Sequence, residues 1–237
     1  MESDITESEL LYKLWAWGDR YKKQLLAALI VLAIAGIVIA FWLTHQTARQ
    51  NDANMALSRL TSQQLGPNAP EPAPGDFLKI ATDFPNTDAG QRAMLIGASD
   101  LFASGKYDEA QAQFQKFLQQ YANSPFTAQA ALGVAASYDA MGKTNDAVSS
   151  YQAVIDRYPA EIAVASQANL ALAHLLETQG KFKDARDKYE ELAAQVPGTI
   201  GSEAGIRLQA LNAAHPELQP TNPPVSRVPM INTVKKP

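Results

Sequence analysis

The 237-residue chain is predicted to be all-α, with one N-terminal transmembrane helix followed by an α-solenoid. Two observations predict this. Leu25 to Leu43 is a 19-residue run without a charged or strongly polar side chain. Further on, Gly105-Lys106-Tyr107-Asp108-Glu109-Ala110 recurs in variant form 37 residues later, from Gly142 to Ala147, and again after 38 more, from Gly180 to Ala185. Each copy is followed by an aromatic residue (Phe114, Tyr151, Tyr189), an apolar residue (Phe117, Val154, Leu192) and a chain break ending in Pro125, Pro159 or Pro197. A unit of this length, built from two helices and a turn, cannot bury its apolar face alone and does so by stacking on its neighbours.

Composition narrows the function. With 20 Lys+Arg against 24 Asp+Glu the formal net charge is −4, and no clustered basic face is present to displace counterions from a nucleic acid. The absence of cysteine excludes disulfides and thiolate metal sites.

Taken in order, residues 1–24 form a cytoplasmic N-terminal segment. Leu10, Leu11, Leu14, Trp15 and Trp17 beside Glu7, Glu9, Lys13 and Asp19 suggest a short helix at the membrane interface. Residues 25–43 are the transmembrane helix in the lipid bilayer, since 19 residues rise about 28 Å against a hydrocarbon thickness of about 30 Å. Trp15, Trp17 and Tyr21 flank one end, Phe41 and Trp42 the other, where amphipathic rings favour the interface. Lys13, Arg20, Lys22 and Lys23 precede the run, whereas only Arg49 and Arg59 follow within 20 residues. That asymmetry places the N-terminus inside and the rest outside the cytoplasmic membrane. The run exceeds a signal-peptide core and lacks a small-x-small site after Leu43, so an uncleaved anchor is expected. Gly36 and Ala40 offer a small pair through which two such helices could pack.

Residues 44–65 are expected to form an extra-cytoplasmic helix, with Ala48, Ala53, Ala56, Leu57 and Leu60 on its apolar side. Residues 66–75, with four prolines in ten positions, form a Pro-rich loop. The solenoid domain occupies 76–215. It starts with a degenerate unit whose second helix, from Phe77, ends at Phe84-Pro85. Fuller units follow at about 88–122, 125–158 and 162–196, and a capping helix runs from Ser202 to Ala214. Gly201 is placed in the preceding turn and Ser202 at the N-cap. Residues 216–237, with six prolines, are expected to be a disordered Pro-rich tail.

Within each unit small residues sit where helices cross closely: Ala98, Ala135 and Ala173 on first helices, Ala110, Ala147 and Ala185 on second helices. Leu101, Tyr138 and Leu176 fill the space between. Gly105, Gly142 and Gly180 end the first helices, where a left-handed residue costs least as glycine. These residues match the tetratricopeptide repeat pattern, and the chain over about 85–197 is similar to that family. It departs from the pattern at Ala122, where proline is usual, and at Met94, Ala131 and Asn169, where a bulky residue is usual.

The wider layout resembles the ancillary SecYEG translocon subunit family: a short basic and aromatic N-terminus, one span, an outer helix and degenerate repeats. That resemblance implies a periplasmic scaffold beside the secretion channel, with translocon subunits and periplasmic chaperones as partners. The stretch from Lys106 to Pro159 is similar also to repeats of the Tol-Pal cell-division coordinator and of outer-membrane assembly lipoproteins. Those have a cleaved signal or a lipidated cysteine instead of this anchor, so the layout favours the translocon-type relative.

Chemistry finds little support. His45, His174 and His215 are scattered along the chain, Gly198 to Ser202 lacks the P-loop lysine and strand, and Asp108/Glu109 and Glu190/Glu191 point apart on a helix. No catalytic residue, metal site or cofactor is expected. The first helices should line a partner groove for proteins or peptides. By repeat phase it comprises Arg92, Leu95, Ser99 and Phe102; Gln129, Leu132, Ala136 and Asp139; and Gln167, Leu170, His174 and Glu177. Leu95, Leu132 and Leu170 align either as an apolar docking stripe or as packing between repeats. The carboxylate clamp of chaperone-tail-binding relatives needs lysine and asparagine where Leu95 and Ser99 stand, so it does not carry over. The expected function is a membrane-anchored protein-protein interaction scaffold assisting secretion or envelope-protein biogenesis. The alternative is a structural adaptor coordinating cell-wall synthesis or envelope constriction.

Overall fold

A single helix, α1, runs from Ser3 to Gln63 in the computed structural model, which describes residues 3–63 and 72–218. Residues 66–71 of the expected Pro-rich loop and the tail after Leu218 lie outside the described residues. The helices that follow are α2 (Pro74–Asp83), α3 (Asp88–Ala103), α4 (Tyr107–Gln120), α5 (Thr127–Ala140), α6 (Thr144–Arg157), α7 (Ile162–Thr178), α8 (Phe182–Gln195) and α9 (Thr199–Ala214). A 3-10 turn at Pro216–Leu218 follows α9. Among the described residues there is no strand, and the fold is all-α. Two compact units divide between Ala93 and Met94.

In the first unit, the segments expected at 1–24, 25–43 and 44–65 are one uninterrupted helix as far as Gln63. The physical reason is that no proline interrupts this stretch. Gly18 and Gly36 each cost only about 1 kcal/mol in a helix interior. Thr44 and Thr47 return their hydroxyls to carbonyls of the preceding turn, at Ala40 and Phe41 and at Leu43. Its apolar part has its side chains exposed, Leu29, Leu32 and Phe41 among them, and it is long and apolar enough to cross a membrane.

Beyond that part α1 packs against α2. Ala53 and Phe77 are fully buried, with Ile80 and Ala81 nearly so. Arg49 Nη2 donates to the Asp83 carbonyl at 3.1 Å, and the Asp88 amide donates to Gln50 Oε1 at 3.2 Å. The degenerate first repeat thus takes its missing helix from α1 itself. α2 begins at Pro74, two residues inside the expected loop, because proline suits a first helical position and the Asp76 carboxylate accepts the Ala73 amide at 3.0 Å. Thr87 opens α3: its hydroxyl accepts the Gly90 amide at 3.0 Å and donates to the Phe84 carbonyl at 2.8 Å. A side chain at Gly90 would strike that carbonyl.

In the second unit each helix from α4 to α9 packs on the next, and α5–α7 and α7–α9 also meet, so first helices lie side by side along one face. The small-residue contacts are as the repeat phase predicts. Ala98, Ala110, Ala135, Ala147, Ala173 and Ala185 are all fully buried. Gly105, Gly142 and Gly180 take φ of 78°, 70° and 74°. At each, the following lysine amide bonds back five residues (Lys106 to Leu101, Lys143 to Tyr138, Lys181 to Leu176) and the glycine amide bonds back three, which closes the helix end.

α9 departs from expectation. It starts at Thr199 with Gly198 as N-cap at φ 88°, and Gly201 lies inside the helix. Ser202 donates its hydroxyl to the Gly198 carbonyl at 2.9 Å and caps nothing. Gly201 is buried because α9 crosses the end of α8 there: any Cβ would strike the Val196 carbonyl. His215 stacks on Phe182 with ring centroids 3.8 Å apart, covering the end of the core.

Candidate binding groove

A pair of positions twelve residues apart decides the character of each repeat. In the last two repeats the pair is acid and tyrosine. Tyr189 is fully buried and donates its hydroxyl to Glu177 Oε2 at 2.9 Å, while Tyr151 makes a longer bond to Asp139 Oδ2 at 3.5 Å. Burial raises both phenol pKa values above the ordinary range, and the neighbouring carboxylate adds to the rise. In the first full repeat the same two positions are Phe102 and Phe114. Hydroxyl and carboxylate are missing together, and the polar bridge is replaced by two rings.

Those rings line a concave pocket of about 410 Å³, bounded by Ser99 and Phe102 of α3, Phe114 of α4, Gln129, Leu132, Gly133 and Ala136 of α5, and Gln167 of α7. No lining residue is charged. Gly133 occupies the position filled by Ile96 and Ala171 in the other repeats, and the Phe114 ring uses the vacated space. A Cβ at Gly133 would lie 2.6 Å from two of its ring carbons.

Of the groove positions expected from repeat phase, the fold gathers Ser99, Phe102, Gln129, Leu132, Ala136 and Gln167 around this pocket. The others do not line it. Leu95 is buried, and Leu170 is half-buried and packs against the core of the later repeats, as does the inner side of the pocket-lining Leu132. Asp139 and Glu177 accept bonds from tyrosines, His174 is exposed on α7, and Arg92 is exposed in the first unit. Repeat phase marks Phe114 only as the recurring aromatic and gives Gly133 no role. The signal for both was a glycine and a phenylalanine at positions that hold larger or polar residues in the other copies.

The model of a tetratricopeptide repeat-like domain matches residues 15–157, more than half the chain and including the apolar part of α1. The chain belongs to this tetratricopeptide repeat-like family. A second tetratricopeptide repeat model matches residues 135–199. Among solved structures, the chain is similar to nearly identical TPR-like repeats of a kinesin light chain-type protein from Podosopora anserina. The identity is 13%, the match covers 73% of this chain and 87% of that one, and the TM-score is 0.48. Comparison with the curated proteins finds no match. Tetratricopeptide repeats in general are scaffolds for protein contacts, and this chain is a protein-protein interaction scaffold in that sense.

Proposed function

We propose that α1 anchors this scaffold in the cytoplasmic membrane with its N-terminus inside, and that the repeat domain works outside, assisting secretion or envelope-protein biogenesis beside the translocon. The observation that carries the binding part is the uncharged pocket of Phe102 and Phe114. Its apolar floor favours an aliphatic or aromatic side chain by desolvation, and the amides of Gln129 and Gln167 at its rim suit the backbone of a bound segment. Translocon subunits, periplasmic chaperones and emerging chains are the proposed partners. Support for the location comes from the exposed apolar helix and the basic residues preceding it.

The test is photo-crosslinking from Gln129 in intact cells, with and without Ala136→Glu. That change puts a carboxylate in the pocket without touching the buried core. Adducts to translocon subunits, chaperones or exported chains that disappear in the variant are expected. Adducts to wall synthases or Tol-Pal components would favour the adaptor role instead, and adducts unchanged by Ala136→Glu would move the binding surface elsewhere.

A further inference from the structure

Where α1 leaves its apolar run, a second crevice of about 180 Å³ opens between Trp42, His45, Gln46 and Arg49 of α1 and Asn86 and Thr87 of the turn before α3. All six belong to the first unit. Its polar groups are donors in excess. Arg49 gives one guanidinium nitrogen to the Asp83 carbonyl and enters no ion pair among the described residues, which leaves further N–H groups for a ligand. The amides of Gln46 and Asn86 and the imidazole of His45 can add donors, while the Thr87 hydroxyl is committed to Gly90 and Phe84. No carboxylate lines the crevice.

Its height along α1 identifies the ligand. His45 and Arg49 stand two and six residues past Leu43, about 3 and 9 Å along the helix axis. A headgroup layer adds about 5–7 Å to each side of the hydrocarbon. Trp42 marks the apolar edge, and because helical side chains lean back towards the N-terminus the Arg49 guanidinium, starting from about 9 Å, comes within reach of the phosphates. We infer that this crevice binds the phosphate of an anionic phospholipid in the leaflet facing the repeat domain, with Arg49 as the principal donor. The inference rests on α1 crossing the membrane. Because the same crevice wall contains the α2–α3 turn, a seated headgroup would also hold that turn at the bilayer surface.

The test uses the full chain carrying Trp15→Phe and Trp17→Phe, so that Trp42 is the sole tryptophan, in phosphatidylcholine nanodiscs doped with bromine-labelled phosphatidylglycerol or bromine-labelled phosphatidylcholine. Trp42 should be quenched preferentially and saturably by the labelled phosphatidylglycerol. Arg49→Gln should cut that preference roughly tenfold. Asn86→Asp should do the same while leaving the Arg49–Asp83 bond in place, and Arg59→Gln, which removes a charge farther along α1, should not. Equal quenching by both lipids in inserted protein, or a preference that survives both pocket variants, overturns the lipid site but not the membrane reading. Failure of the chain to insert overturns both. Loss of the preference on adding about 10 mM inorganic phosphate would assign the crevice to free phosphate and overturn the lipid assignment, since a lipid held by its acyl chains has a far higher local concentration.

Discussion

Replacing Gly133 by alanine tests the pocket and the fold in one step. The new Cβ would lie 2.6 Å from Cε2 and Cζ of Phe114 and 2.7 Å from Cδ2. Carbon contacts settle near 3.5–4.0 Å, so the ring must retreat by about 1 Å. It is 4% exposed and packed elsewhere, and the open direction is into the pocket. Alanine gains about 0.8–1.0 kcal/mol of helix propensity, whereas crowding a packed ring costs about 1–3 kcal/mol. The net expectation is a loss of ~1 kcal/mol, which for a chain of this size lowers Tm by about 2–4 °C. Far-UV circular dichroism of the full chain in detergent reads that change, and crosslinking from Gln129 should fall as the ring fills the pocket. Adding Phe114→Leu should recover part of the stability, because a shorter side chain relieves the contact. A Gly133→Ala variant that melts higher by its propensity gain, with crosslinking intact, would show that the ring does not rest on Gly133.

Tyr151 and Tyr189, each bonded to a carboxylate, should resist ionisation in an alkaline absorbance titration until the domain unfolds. Their folded pKa values are raised, so their contribution to stability is complete below the unfolded value of about 10 and is lost as pH climbs beyond it. Early titration of all eight tyrosines would refute this. Ala147→Leu should destabilise the domain by ~1–3 kcal/mol through overpacking at a fully buried crossing, while Ser149→Leu on the exposed side of α6 should change little. Equal melting shifts would mean that the repeat phase is wrong.

Repeat phase made the packing legible in the sequence. Three glycines, two sets of alanines and three aromatics kept step, and each is where a close crossing or a left-handed turn needs it. What stayed hidden depends on distances between segments. Asp139 and Glu177 read as groove residues by repeat phase, yet buried tyrosines twelve positions later claim them. Ser202 after Gly201 reads as an N-cap following a turn, but the close approach of α9 to the Val196 carbonyl brings the helix in at Thr199 and requires Gly201 inside it. Leu95, Leu132 and Leu170 align in sequence, while only Leu132 borders the pocket.

The exchange of acid and tyrosine for two phenylalanines in one repeat sets the valency of the groove. Where Glu177 and Tyr189 close on each other, the carboxylate and the hydroxyl are bonded to each other instead of leaving two rings open as Phe102 and Phe114 do. A client would then seat a single side chain per scaffold molecule, giving a 1:1 isotherm and the short residence time of one small anchor. Stronger retention of a long chain would have to come from several copies held close together, where a released segment meets a neighbouring pocket before it diffuses away. Occupancy would then rise more steeply with the local density of the scaffold than with the affinity of any one pocket.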